Sequence, residues 1–233
     1  MGLTIKKINI IRSTNYNELS KIASSKLISK IKSGATGIIV PGGSTPKLFF
    51  EKLASSNLDL SKTLFILSDE RLVDSKHEAS NYKLIQKHLV KNLPDENKPK
   101  IIPDMKKFNK SNIKNFISEL NNFVYENLPI DVAFLGLGSD GHTASLFPDE
   151  DFYSGDNPFY FVKNKFGYDR ITLSMKFLTK IKNINFLVSG NSKKNTLQQI
   201  IDNESEGNNY PAKYLIERSS CDINIYTDIE NLQ

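Results

Sequence analysis

The stretch LGLGSDGHTASLFP runs from Leu135 to Pro148. Gly136, Gly138 and Gly141 there surround Asp140 and His142, directly after an apolar run. Glycines permit a sharp backbone path, so the carboxylate and the imidazole are expected close together. The unperturbed pKa of histidine lies near neutrality, so such a ring can take up and return a proton within one turnover. A neighbouring carboxylate fixes its tautomer. Thr143 to Ser145 are expected to open a helix whose free N–H groups face the same space and can stabilise an oxyanion. A histidine that only satisfies a tight turn fits the same residues. His77 and His88 have no glycine-rich context and read as surface residues. No second histidine or cysteine stands at ligand spacing, so no metal site is expected. No GxSxG elbow supports a serine nucleophile.

Three other stretches carry charge or glycine after an apolar run. In VPGGSTPKLFF, Gly42 and Gly43 are expected to take positive φ, Ser44 or Thr45 to cap the next helix, and Pro46 to start it. A helix N-terminus of that kind seats phosphate, although a plain strand-turn-helix uses the same residues. In FILSDERL, Asp69, Glu70 and Arg71 follow an apolar run. One carboxylate there can serve in acid–base work or hold an arginine, or the charges can simply pair in a solvated turn. Ser80 and Asn81 read equally as turn or helix-start residues. In SGNSKKNTLQQI, Lys193 and Lys194 open a helix and oppose its dipole, which an anionic ligand would explain. Arg170, in GYDRITLS, precedes a short strand and suits bidentate phosphate contact.

The elements that must position these residues alternate along 233 residues. Short apolar strands are expected at Ile5–Ile11, Gly37–Val40, Leu64–Leu67, Val132–Leu135, Ile184–Val188 and Ile223–Tyr226. Amphipathic helices are expected at Asn15–Lys32, Pro46–Ala54, Ala79–Lys91, Ser111–Glu126 and Lys193–Ile201. Strands apolar at consecutive positions suit burial on both faces of a mostly parallel sheet. The expectation is a single α/β domain over residues 1–233, with helices on both sheet faces. Ligands in such sheets sit at the carboxyl ends of strands, and the stretches after Val40, Leu67, Leu135 and Val188 fall there. Asp95–Pro103 and Asp149–Pro158 are polar and read as surface loops.

Composition narrows the function. Mean hydropathy is −0.37, and no apolar run approaches the length of a membrane span. The N-terminal apolar stretch is too short for a secretory signal. Cys221 is the single cysteine and reads as a small hydrophobe in a late strand. Together these point to a reducing cytoplasm and to no membrane partner. The net charge of +5 comes from lysines scattered among asparagine and isoleucine, with only four arginines among 31 basic residues. That scatter argues against nucleic acid as the partner, and a lysine surplus attracts anionic substrates weakly.

Read in order, GGSTP (Gly42–Pro46), DER (Asp69–Arg71), SNY (Ser80–Tyr82), GLGSDGHTASLFP (Gly136–Pro148), RITLS from Arg170, GNSKK from Gly190 and YPAKYLI from Tyr210 resemble the 6-phosphogluconolactonase family. The resemblance spans nearly the whole chain, and the DGHTASLFP run is its most specific part. It implies a modified Rossmann-like α/β fold shared with sugar-phosphate isomerases and amino-sugar-phosphate deaminases. It implies hydrolysis of 6-phosphoglucono-1,5-lactone to 6-phosphogluconate, a step of the oxidative pentose phosphate pathway, with no metal or cofactor. By the same resemblance His142 is the general base and Asp140 orients it. Gly42, Gly43, Ser44 and Thr45, with Arg170 and Lys193, hold the phosphate, while Asp69, Arg71 and Asn81 help position the substrate. Lys194 competes with Lys193 for the phosphate role, and the role of Glu70 stays open between catalysis and structure. Two positions depart from the family's habit: Leu67-Ser68 stand where an aromatic residue often precedes DER, and Asp74 stands near a common proline. Neither bears on the expected chemistry.

Three rivals remain in view. Glucosamine-6-phosphate deaminases carry a similar histidine turn with a glutamate five residues beyond the histidine, and here that position is Phe147. Related folds also serve as sugar-phosphate sensors joined to a DNA-binding helix-turn-helix, for which no spare segment is expected. A nucleic-acid binder rests on a pI of about 9.0 alone. The sequence leaves the oligomeric state open.

Overall fold

The computed structural model describes residues 8–152, 155–202 and 209–232. Of the first expected strand, Ile5 to Lys7 lie outside the described residues. The elements in chain order are β1 (Ile8–Arg12), α1 (Tyr16–Lys32), β2 (Gly37–Val40), α2 (Pro46–Ala54), β3 (Leu64–Leu67), β4 (Asp69–Arg71), α3 (Asn81–His88), β5 (Lys100–Ile102), α4 (Ile113–Glu126), β6 (Val132–Gly136), β7 (Phe159–Lys165), β8 (Tyr168–Leu173), α5 (Met175–Leu178), β9 (Asn183–Val188), α6 (Lys194–Ile201), α7 (Pro211–Arg218) and β10 (Ile223–Thr227).

Among the described residues, seven strands form one sheet in the order β1-β10-β9-β6-β2-β3-β5, and every neighbouring pair is parallel. All four residues of β2 and of β3 are buried. Successive side chains of a strand point to opposite faces, so helices must cover both. The expected α/β architecture is therefore the observed one. Apolar spacing selects the buried face of each helix: Leu19, Ala23 and Leu27 of α1, and Phe116, Leu120 and Val124 of α4, recur at four-residue intervals. The Phe49 ring of α2 lies 5.1 Å from that of Phe134 on β6, which ties the start of α2 to the strand beside it.

The chain leaves β2 outward through β3 to β5, then returns to β6 on the other side of β2 and continues to β9 and β10. The crevice outside the strand ends at such a reversal is the usual ligand position. The neighbours β9, β6, β2 and β3 bring the segments after Val188, Gly136, Val40 and Leu67 to one rim.

Of the alternatives open for Asp69–Arg71, the solvated turn does not hold: these residues form strand β4 of a second, antiparallel sheet ordered β4-β8-β7. Two expectations are corrected. Within the expected loop Asp95–Pro103, Lys100–Ile102 pairs with β3 as an edge strand, because Ile101 and Ile102 are buried under the sheet's end. Cys221 is half-buried in the bend before β10 rather than within the strand, and its Sγ donates to the Ile181 carbonyl at 3.3 Å.

Candidate active site

A cleft of about 220 Å³ opens at this rim. Its lining contains Gly42, Gly43, Ser44, Thr45, Asp69, Arg71, Asn81, His142, Arg170 and Lys193. Segments more than 120 residues apart in sequence thus meet in one place. Asp140 stands beside the cleft as the partner of His142. Lys194 is not in the lining, so of the two adjacent lysines it is Lys193 that faces the cleft.

His142 Nδ1 lies 2.5 Å from Asp140 Oδ1, which also accepts the His142 backbone N–H at 3.2 Å. A carboxylate accepting the Nδ1 proton leaves the imidazole lone pair at Nε2. Burial raises the Asp140 carboxyl, but the hydrogen bond and charge of His142 outweigh it, and its pKa lies below the ordinary aspartate value. On its other side the imidazole packs against the buried Phe147 ring, 4.9 Å between centroids.

The turn is fixed from several directions. Gly138 N–H donates to the His142 carbonyl at 2.8 Å, and Ala212 N–H of α7 donates to the Gly141 carbonyl at 3.1 Å. A Cβ on Gly138 would sit 2.1 Å from His142 Nδ1 and 2.5 Å from Asp140 Oδ1. Gly138→Ala is therefore expected to separate the Asp140–His142 pair. Turnover should fall at least about tenfold, since proton transfer by a positioned base supplies about 10²-fold or more. Steady-state kinetics with a thermal melt as control checks this, and unchanged kcat in a folded variant would contradict it.

The expected helix at Thr143 does not form. Thr143 and Leu146 make a β-bridge across a turn in which Ala144 takes φ +52°. The reason lies in distant partners: Ser145 N–H donates to Thr172 Oγ1 at 3.0 Å, and Ser145 Oγ donates to Asp69 Oδ2 at 2.6 Å. These bonds hold the segment against β8 and β4 in a non-helical path, so a helix N-terminus does not face the cleft here.

The sequence offers Ser145 only for its backbone N–H, yet its hydroxyl joins two expected residues, Asp69 and Arg170. Arg170 Nη1 reaches its hydroxyl at 3.3 Å and lies 3.6 Å from Asp69 Oδ2. Asn81 Nδ2 donates to the Asp69 carbonyl at 2.9 Å and to Asp69 Oδ1 at 3.3 Å. Asp69 thus holds Arg170 and Asn81 in place. Arg170 is 5% exposed and stands opposite Arg71 across the β4–β8 pair. Burial, and the Arg71 guanidinium next, pull the Arg170 pKa below its ordinary value. Burial does the same to Lys193. Each cation carries a desolvation cost that a bound anion would offset.

Glu70 is buried, with both carboxylate oxygens hydrogen-bonded to the chain. Its carboxylate accepts backbone N–H groups of Arg71 (2.7 Å), Asn81 (2.8 Å) and Tyr82 (2.6 Å), and the Ser80 hydroxyl (3.1 Å). It caps α3 from outside the helix and fixes both Arg71 and Asn81. Burial pushes the carboxyl up to about 7, against the pull of those backbone hydrogen bonds. A glutamine amide places an NH₂ where a second oxygen accepts, leaving a buried N–H unpaired. Glu70→Gln should cost about 1–3 kcal/mol of stability, read as a lower denaturation midpoint with unchanged m.

In the GGSTP loop, Gly43 takes φ +83° as expected, but Gly42 does not take positive φ. Gly42 is required for space instead: a Cβ there would lie 2.0 Å from Asn81 Oδ1. Thr45 occupies the N-cap of α2 without a side-chain capping bond, and its hydroxyl accepts from Lys193 Nζ at 3.3 Å. Ser80 does cap α3, accepting from Lys83 N–H at 3.1 Å. His77 is exposed, and His88 is half-buried against Glu51 at 2.7 Å. Both lie outside the cleft.

Residues 15–223 match the family described as glucosamine-6-phosphate isomerases/6-phosphogluconolactonase. The 6-phosphogluconolactonase of Haemophilus influenzae is 34% identical over 206 residues, covering 85% of this chain and 88% of that one. A probable 6-phosphogluconolactonase of Dictyostelium discoideum is 31% identical over 235 residues, covering 95% and 98%. Among solved structures, the 6-phosphogluconolactonase of Trypanosoma brucei superposes with a TM-score of 0.80 over 95% of this chain and 96% of that one. At 24% identity that likeness shows the fold. With residues 15–223 matched and a relative 34% identical over most of both chains, the chain belongs to the glucosamine-6-phosphate isomerase/6-phosphogluconolactonase family.

Proposed function

We propose that the protein hydrolyses 6-phosphoglucono-1,5-lactone to 6-phosphogluconate, with His142 as general base and with no metal or cofactor in the step. The observation that carries this reading is the Asp140–His142 pair, 2.5 Å apart, at a cleft that also gathers Arg71, Arg170 and Lys193. Curated relatives named 6-phosphogluconolactonase support it. The reading takes residues 1–233 as one domain acting in the cytoplasm, with neither membrane nor nucleic acid as partner. Among the described residues, no helix is long and apolar enough to cross a membrane.

Arg170, Lys193 and the Gly42–Thr45 loop hold the phosphate, and Arg71 and Asn81 orient the sugar. Water lies between His142 Nε2 and the lactone carbon C1. Nε2 takes a proton from the water as its oxygen attacks C1. Asp140, kept ionised, steadies the imidazolium. The tetrahedral intermediate collapses by breaking the bond from C1 to the ring oxygen, and Nε2 returns its proton to that oxygen. The product carboxylic acid then ionises and releases one proton to solvent.

The deaminase reading lacks its acid here. Position 147 is a buried phenylalanine against the imidazole, with no carboxylate to assist opening of an amino sugar. Incubating the purified protein separately with the lactone and with glucosamine 6-phosphate tests the choice. Acid release from the first and no ammonia from the second is expected. Catalytic ammonia release would move the protein to the deaminase reaction.

A further inference from the structure

Helix α2 has an unusual N-terminus. Thr45 stands at the N-cap with φ −63° and ψ −37°, already helical, and makes no side-chain capping bond. An N-cap residue ordinarily keeps an extended backbone, from which its side-chain oxygen reaches the N–H of the second or third helical residue. The third helical residue here is Leu48. Its N–H donates instead to the hydroxyl of Tyr16, at 3.1 Å. The same hydroxyl donates to the Thr45 carbonyl at 2.9 Å. A tyrosine 29 residues upstream thus does the capping work that Thr45 leaves undone.

Tyr16 is itself well held. It is the first residue of α1, whose N-cap Asn15 accepts the Glu18 N–H at 3.0 Å. The Glu18 carboxylate accepts both the N–H and the hydroxyl of Thr14, the residue before the N-cap, at 2.7 Å. Helices α1 and α2 pack on one another, so the phenol reaches the α2 terminus from a fixed base. The Thr45 hydroxyl, relieved of capping, accepts from Lys193 Nζ at 3.3 Å within the cleft.

We propose that Tyr16 is a positioning residue of the phosphate site: by capping α2 from outside, it keeps the Thr45 hydroxyl and Lys193 turned toward the substrate's phosphate. This rests on the reading that the Gly42–Thr45 loop holds that phosphate. When the phenol hydroxyl is removed, the Leu48 N–H loses its acceptor, and Thr45, at the N-cap, holds the position from which a side-chain hydroxyl ordinarily supplies one. Thr45 can supply that bond only by leaving the cleft. The helix is then largely rescued at the expense of the ligand.

The test is a double-mutant cycle of Tyr16→Phe and Thr45→Val, read by calorimetric affinity for 6-phosphogluconate, by KM and kcat for the lactone, and by thermal melting. Tyr16→Phe alone should weaken product binding and raise KM about fivefold, the worth of one neutral hydrogen bond, with kcat within about twofold. In the Thr45→Val background, Tyr16→Phe should no longer weaken binding, yet should lower the melting temperature by about 2–4 °C, more than it does alone. That crossed pattern is one a merely structural tyrosine does not produce. Unchanged affinity in Tyr16→Phe, or equal effects in both backgrounds, would overturn the proposal. If Thr45→Val alone leaves product affinity intact, the phosphate-loop reading itself fails. If Thr45→Val binds weakly while Tyr16→Phe is silent, only the role of Tyr16 falls.

Discussion

His142→Ala should lower kcat for lactone hydrolysis by about 10²- to 10⁴-fold, the usual contribution of a positioned general base. The affinity for 6-phosphogluconate should change little, because the cations of the cleft come from other elements: Arg71 from β4, Arg170 from β8 and Lys193 from the turn before α6. A loss in kcat with binding retained marks a group used only in the transition state. Stability should also change little, since the imidazole is half-buried and its bonds are within its own turn and to Asp140. Asp140→Asn should follow in the same direction. An amide that turns its NH₂ to Nδ1 makes Nδ1 the acceptor and places the proton on Nε2, where the lone pair is needed. A kcat within about threefold of wild type in folded His142→Ala, against the 10²-fold floor for a positioned base, would remove it from the proton-transfer role.

Arg170→Ala should weaken binding of phosphorylated ligands by about 10- to 100-fold, the range for losing charge-assisted hydrogen bonds to an anion. The guanidinium is buried and oriented on three sides, by the Lys165 carbonyl (3.1 Å), Ser145 Oγ (3.3 Å) and Asp69 (3.6 Å). Its partly desolvated charge is then worth more to an incoming phosphate than a solvated lysine. Arg170→Lys should recover charge without the fork and sit between the two. The effect should lie in KM and in product affinity, with kcat less altered. Normal affinity for 6-phosphogluconate in Arg170→Ala would take this residue out of the phosphate site.

The central sheet was legible because its strands are apolar at consecutive positions. GIIV and LFIL are strands with the expected bounds, and both are buried throughout. The histidine turn was legible because its glycines and its two functional groups lie within seven residues. The second sheet was harder to see. DER has the composition of a solvated turn, and its burial depends on pairing with β8, a hundred residues away. The helix expected at Thr143 failed for the same reason: the bond from Ser145 to Asp69 spans 76 residues and leaves no local mark. Glu70 gave no local sign of capping α3, and Thr45 gave none that its capping duty falls to Tyr16. Local pattern shows where an element is apolar or must turn. It does not show which distant polar group completes it.

The most direct measurement is acid release from freshly prepared 6-phosphoglucono-1,5-lactone, with purified protein against a buffer blank, because the lactone also opens unaided. The account predicts a rate that rises in proportion to protein concentration, well above the blank, and is lost in His142→Ala. A rate equal to the blank with folded wild-type protein would contradict it, and the cleft would then belong to another sugar phosphate.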